Sequence, residues 1–300
     1  MFKRILLPLD GSELAEITIP YGEELGRRLG SEVILLHVRG QEHQQEYEHI
    51  HKMYLDRLAE TVAGNISHGQ PKAKKVKVST RVESGGVQEG ICKLVDENNV
   101  DLIIMAAVSS SGLKIGKMLG NVTGHICRTV PIPVMIIRPQ NILHTETKEQ
   151  LINHILIPLD GSELSKLALP VGEELASKLK VTVTLFQMAD MVASMIMVPD
   201  QEHTLIMQRL NEDKKKRVDA ELVALEKELN KKRINVTHVV TSGLDAAEDI
   251  IEISKKTGAD LMVMSTHGRS GLGRFALGSV AEKILRHGEI PLLLVNARAR

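Results

Sequence analysis

The chain has 300 residues, 43% of them hydrophobic and 25% charged, with 38 basic and 38 acidic side chains and a net charge of zero. Its length predicts about two soluble globular domains, and the balanced charge excludes an electrostatic case for nucleic acid or a membrane surface as main partner. Aromatic residues make up 2% with no Trp, which argues against stacking platforms for single-stranded nucleic acid and predicts aliphatic cores.

Along the chain, MFKRILLPLD opens with an apolar run too short for a signal peptide. No stretch reaches the roughly 18 apolar residues of a membrane span. The expected compartment is the cytoplasm, where Cys92 and Cys127, in no C-x-x-C pair, remain buried reduced thiols. The runs ILLPL, EVILLHV, VKVSTRV, DLIIMA and PVMIIR read as fully buried strands. Amphipathic helices lie between them, at Pro20 to Leu29 and Gln88 to Asn98 in the first half and at Pro170 to Leu179 and Ala246 to Thr257 in the second. In the first helix of each half, Ser or Thr and then Pro stand near the start. A long charged helix is expected over 203–233, with 41–62 as its counterpart, and Lys214 to Arg217 reads as part of a solvated face. Pro139 to Asn153 reads as a polar linker.

The chain repeats itself. Residues 5–38 and 155–188 are identical at about half of their positions, and IPVMIIR (132–138) matches IPLLLVN (290–296). The expected fold is therefore α/β: two tandem domains, at 1–140 and 153–300. Alternating strands and helices place a five-stranded parallel sheet in each, with helices on both faces.

Ligands of such sheets bind beyond the carboxyl ends of the strands. Two loops of each half fall there. The first is PLDGSE, at 8–13 and 158–163. Its Gly permits a tight turn, Ser12 and Ser162 are candidate N-caps, and Asp10 or Asp160 either accepts hydrogen bonds from a ribose or base amino group or only stabilises the turn. The second runs from Ser265 to Ser279, with four glycines in the eleven residues from Gly268 through Gly278 and a helix over Val280 to Arg286. Bare amides at that helix start suit a phosphate, to which Arg269 and Arg274 add charge.

PLDGSE after the first strand, together with S-x2-G-x9-G-S after the fourth, resembles the universal stress protein family across both halves. The resemblance implies strand order 3-2-1-4-5 and pairing of two domains through their last strands about a two-fold axis. It also implies that Asp160 and Met188 meet an adenosine, that Ser265, His267, Gly268, Gly278, Ser279 and Val280 line its phosphates, and that Pro158 belongs to the same cofactor site. Ser265 stands where the ATP-binding members carry a first glycine. The first half departs further: Val108 replaces His267, Ser109 occupies the Gly268 slot, Asn121 replaces Ser279, and Gly112 and Gly120 are one residue further apart than Gly271 and Gly278. A side chain in the Gly268 slot is expected to crowd a phosphate, and a shifted helix start to misalign its amides.

Other patterns carry less. Ser84-Gly85-Gly86-Val87 precedes a helix in the wrong place for an ATP pyrophosphatase loop, and no P-loop or dinucleotide fingerprint occurs. His43, His49 and His51 do not share a helix face as a metal site requires. No nucleophile elbow accompanies Ser265, His267 and Asp160. The expectation is a regulatory protein, not an enzyme, that binds ATP with Mg²⁺ in the second domain and weakly or not at all in the first. A slow ATPase and a structural stress protein with both sites empty stay open. So do the protein partner, AMP or a cyclic dinucleotide as ligand, and pairing of two chains into a homodimer.

Overall fold

The computed structural model describes residues 2–40, 48–67, 76–107, 119–139, 150–191, 201–268 and 277–296. The first half runs β1 (Arg4–Pro8), α1 (Glu13–Glu16), α2 (Ile19–Leu29), β2 (Glu32–Arg39), α3 (Glu48–Ser67), β3 (Val78–Ser84), α4 (Val87–Glu97), β4 (Leu102–Ala106), α5 (Asn121–Thr129) and β5 (Val134–Ile137). The second runs β6 (His154–Leu159), a 3-10 turn (Ser165–Leu167), α6 (Ala168–Leu179), β7 (Thr182–Asp190), α7 (Gln201–Lys231), β8 (Val236–Gly243), α8 (Ala246–Thr257), β9 (Leu261–Ser265), α9 (Ser279–His287) and β10 (Leu292–Val295).

The ten strands form one sheet, in the order β3-β2-β1-β4-β5-β10-β9-β6-β7-β8. Each half has the expected order 3-2-1-4-5 with parallel neighbours, as in β1 beside β2 and β4. The halves meet where β5 and β10 pair antiparallel, with Met135 opposite Leu293. The pairing expected between two domains of the family thus forms inside a single chain.

Alternation along each strand distributes the core over both faces. Ile5 and Leu7 point to one face with Leu25 of α2, Leu55 of α3, Leu175 of α6 and Leu222 of α7. Leu6 points to the other with Ile91 of α4, Ile126 of α5, Ile250 of α8 and Ile284 of α9. Each cluster includes residues of both halves, so the hydrophobic core continues across the seam.

Several expectations need correction. VKVSTRV is not fully buried: β3 is an edge strand with one neighbour, and its residues are half-buried or exposed. Thr18 stands at the N-cap position of α2 but makes no cap; its hydroxyl donates to the Ala15 carbonyl at 2.8 Å, and the repeat puts Ala168 in its place. The helix expected over 41–62 is α3, at Glu48–Ser67, and 41–47, including His43, lie outside the described residues. The end of the linker is not polar in effect, since Leu151 and Ile152 are buried in the core. Cys92 is half-buried rather than buried, and both cysteines are free thiols. Lys214 to Arg217 are exposed on α7, as expected. Among the described residues no helix is long and apolar enough to cross a membrane, and no group of three His, Cys, Asp or Glu could hold a metal.

Candidate nucleotide pocket of the second half

At the carboxyl ends of β6, β7 and β9 the second half carries a pocket of about 280 Å³. Its position follows from topology: β6 connects toward one edge and β9 toward the seam, so the loops after them diverge and leave a crevice.

One wall is the loop after β6. Gly161 adopts a φ of 83°, a left-handed conformation that admits the sharp turn after Asp160. The turn folds Ser162 back so that its amide and hydroxyl both donate to Asp160 Oδ1, at 2.9 and 2.6 Å. Ser162 Oγ in turn accepts from the Ser165 amide at 3.1 Å. The expected N-cap role is met by Ser12, whose hydroxyl accepts from the Ala15 amide at the start of α1, and not by Ser162, since the N-cap position of the 3-10 turn is Leu164 and carries no side-chain cap. Asp160 is therefore held by its own loop, and its Oδ2 faces Gly268.

The opposite wall is the end of β9 with the three residues after it and the start of α9. Gly268 packs so tightly on Asp160 that a Cβ there would lie 2.3 Å from Oδ2. The expected reason for this glycine was room for a phosphate; the first group that a side chain would strike is the Asp160 carboxylate. Ser265, in the slot of the family's first glycine, is buried, and its hydroxyl accepts from the His267 amide at 3.3 Å. His267 Nδ1 lies 2.9 Å from Thr266 Oγ1. Gly278 donates to the Thr266 carbonyl at 2.9 Å and is the N-cap of α9, without a side-chain cap. The first bond of α9 runs from the Glu282 amide to the Gly278 carbonyl. The amides of Ser279, Val280 and Ala281 precede it and stand at the pocket wall.

The floor is apolar: Phe186 and Met188 of β7, Ala246 and Ile250 of α8, and Met264 of β9. Asp190, two residues beyond Met188, adds a second carboxylate at the rim. Of the residues expected from the sequence, Pro158, Asp160, Met188, Ser265, His267, Gly268, Gly278, Ser279 and Val280 all line this pocket. Arg269, like Arg274, lies outside the described residues.

Sequence reasoning missed Phe186, Asp190, Ala246 and Ile250. A signal for them existed. Phe186 and Asp190 flank Met188 at the strand period of two, and Ala246 and Ile250 share one face of α8 at i, i+4.

The first half departs from expectation at its helix start. Gly120 caps α5 with φ −60° and ψ 149°, and Gly278 caps α9 with φ −62° and ψ 149°. Gly120 donates to the Ala107 carbonyl at 2.8 Å, the counterpart of the Gly278 bond to Thr266. The extra residue therefore does not shift the helix start, because the strand-to-helix hydrogen bond fixes it from both ends of the loop. Val108 and Ser109 lie outside the described residues.

The family model of the universal stress proteins matches residues 1–138 and again 152–296. A universal stress protein of Synechocystis, Slr1230, is 24% identical over 313 residues, covering 97% of this chain and 99% of its own. MJ0531 of Methanocaldococcus jannaschii is 30% identical over 148 residues, 49% of this chain and 84% of its own. The crystal structure of a universal stress protein from Archaeoglobus fulgidus superposes with a TM-score of 0.71 at 19% identity, covering 99% of both chains. One solved universal stress protein, with a TM-score of 0.35 and 15% identity over 45% of this chain and 97% of its own, is in complex with cAMP. With both halves matched and the fold shared end to end, the chain belongs to the universal stress protein family, as a tandem member.

Proposed function

We propose that the second domain binds an adenine nucleotide, ATP carried in with Mg²⁺, and that the chain acts as a nucleotide-dependent regulatory protein. The observation that carries this reading is the polarity of the pocket. An apolar slot of Phe186, Met188, Ala246, Ile250 and Met264 suits the faces of a base, with a carboxylate at one side and the uncapped start of α9 at the other. Asp160 accepts hydrogen bonds from ribose hydroxyls, while the amides of Ser279, Val280 and Ala281 and the positive end of the helix meet phosphate oxygens. The described residues form no cage for a metal of their own. Mg²⁺ enters on the phosphates, keeping most of its waters.

The first domain lacks the His267 and Ser279 counterparts and is read as weak or empty. The reading includes no turnover.

The test is calorimetric titration of the nucleotide-stripped chain with ATP and Mg²⁺. One site per chain, lost in Gly278→Val, supports the reading. Two equal sites remove the asymmetry between the domains. Steady phosphate release that disappears in Gly268→Val would instead make the protein a hydrolase. No heat at any workable concentration leaves a structural stress protein.

A further inference from the structure

Helix α9 touches the pocket at one end and the seam between the halves at the other. Its 9 residues span roughly 13 Å, at about 1.5 Å per residue. At its far end the Gly288 amide donates to the Ile284 carbonyl at 2.7 Å. That carbonyl also accepts from Arg138 Nη2 at 3.0 Å, and Arg138 Nη1 donates to the Gly288 carbonyl. Arg138 belongs to the first half and directly follows β5, the strand that crosses to β10. A Cβ at Gly288 would lie 2.8 Å from the Ile284 carbonyl oxygen and 3.2 Å from Nη1, so the glycine leaves room for both partners of this contact.

This contact is unlike its counterpart across the pseudo-two-fold. The repeat places Asn296 opposite Arg138, and Asn296 Nδ2 donates at 3.0 Å to the carbonyl of Val130, the C-cap of α5. The helix whose start keeps the nucleotide motif is thus held by a buried cation, and the helix of the divergent half by a neutral amide. Burial lowers the Arg138 pKa to about 10, which leaves it charged at neutral pH. The helix's own Arg286 and His287 are exposed to solvent, where their effect on the helix dipole is screened. Arg138 is 6% exposed and is not screened in that way. A cation on the carbonyl end offsets the negative pole and leaves the positive pole at Ser279 to act on an anion. The guanidinium fork also fixes the helix axis, and with it the aim of three amides.

We propose that Arg138 is a positioning residue for the phosphate end of the second domain's pocket, so that the pairing of the two domains sets affinity for the phosphates. This rests on the nucleotide reading above.

The experiment compares ATP with adenosine on the full chain. In Arg138→Gln, ATP affinity is expected to fall about tenfold while adenosine binding changes by less than about twofold. Arg138→Lys, which keeps the charge but not the fork, is expected to lose about threefold for ATP alone. Asn296→Ala is expected to leave both ligands unchanged. Equal weakening of ATP and adenosine in Arg138→Gln would show a loss of packing only and overturn the proposal. So would unchanged ATP affinity. If Arg138→Gln does not fold, Arg138→Lys decides, and an unchanged ratio of ATP to adenosine affinity overturns the proposal. A wild-type chain that binds neither ligand sinks the nucleotide reading and this proposal together. Wild-type binding with an insensitive Arg138 removes the proposal alone.

Discussion

Glu24 and Arg28, one turn apart on α2, form a 2.5 Å ion pair that grips the chain where it enters the second domain. Glu24 accepts from the amides of Leu151 and Ile152, at 2.5 and 3.1 Å. Arg28 donates to the carbonyls of Ile152 and Leu179, at 2.7 and 2.5 Å. The pair satisfies the backbone of a segment whose side chains enter the core.

Removing Glu24 leaves the Arg28 charge and two amides without their partner. Glu24 is 4% exposed, so Glu24→Ala is expected to destabilise the chain by about 3 to 5 kcal/mol. Arg28→Ala is expected to cost a comparable amount, because it leaves the more deeply buried Glu24 carboxylate without its counter-charge and two carbonyls without their donor. Urea unfolding of both variants checks this. A loss under about 1 kcal/mol for Glu24→Ala would place the pair among inconsequential surface bridges.

Gly268→Ala is expected to weaken ATP binding by at least about tenfold, equivalent to ~1.4 kcal/mol. The new Cβ would fall 2.3 Å from Asp160 Oδ2 and force the carboxylate out of place. Its melting temperature is expected to change little, since the site is at the sheet's edge of loops and not in the core. Titration calorimetry and a thermal melt together separate the two effects. Unchanged affinity would mean that Asp160 has no part in holding the ligand.

His37 is expected to make the first half acid-sensitive. Its ring stacks on that of His51 with centroids 4.2 Å apart, and its Nδ1 lies 2.9 Å from the Leu9 carbonyl oxygen. Burial and the neighbouring His51 push its pKa below the ordinary 6.5, against smaller opposing effects of the Leu9 carbonyl and Asp10. Below that value the unfolded chain takes up a proton that the folded chain resists, so stability falls as pH falls through it. The repeat puts the buried Gln187 in the same place. His37→Gln is therefore expected to flatten the dependence of melting temperature on pH between about 5 and 7. A variant with the wild-type slope would assign the acid sensitivity elsewhere.

The two thiols are expected to react in a fixed order. Burial raises the pKa of Cys127 to about 12, while Cys92 is raised less and is half-buried. Thiolate is the reactive form, so a thiol reagent at neutral pH should label Cys92 slowly and Cys127 only on unfolding. Labelling kinetics with and without urea measure this. Fast labelling of Cys127 in the native chain would mean that α5 opens locally.

Much of the molecule was legible in the residues alone. Apolar runs of strand length, separated by helical periods, identify the ten strands and their parallel class, because a strand buried on both faces has no polar alternation. The repeat identifies two copies of one domain, and two short loops place Asp160, Gly268 and Gly278 at one site, because chain order and βα handedness bring the ends of β6 and β9 together. Tertiary structure decided the rest. VKVSTRV carries Lys77, Ser79, Thr80 and Arg81 between its valines where DLIIMA is apolar after Asp101, but that the one is an edge and the other lies inside a ten-stranded sheet is decided by the strand pairing. Leu151 looks like linker until Glu24, more than a hundred residues away, takes its amide. The start of α5 is set by a bond from Gly120 to Ala107, which counting loop residues does not reveal. Arg138 stands outside every motif and reaches α9 only because β5 and β10 pair. Local pattern settles what each segment becomes, whereas contacts between segments distant in sequence depend on where the whole chain places them.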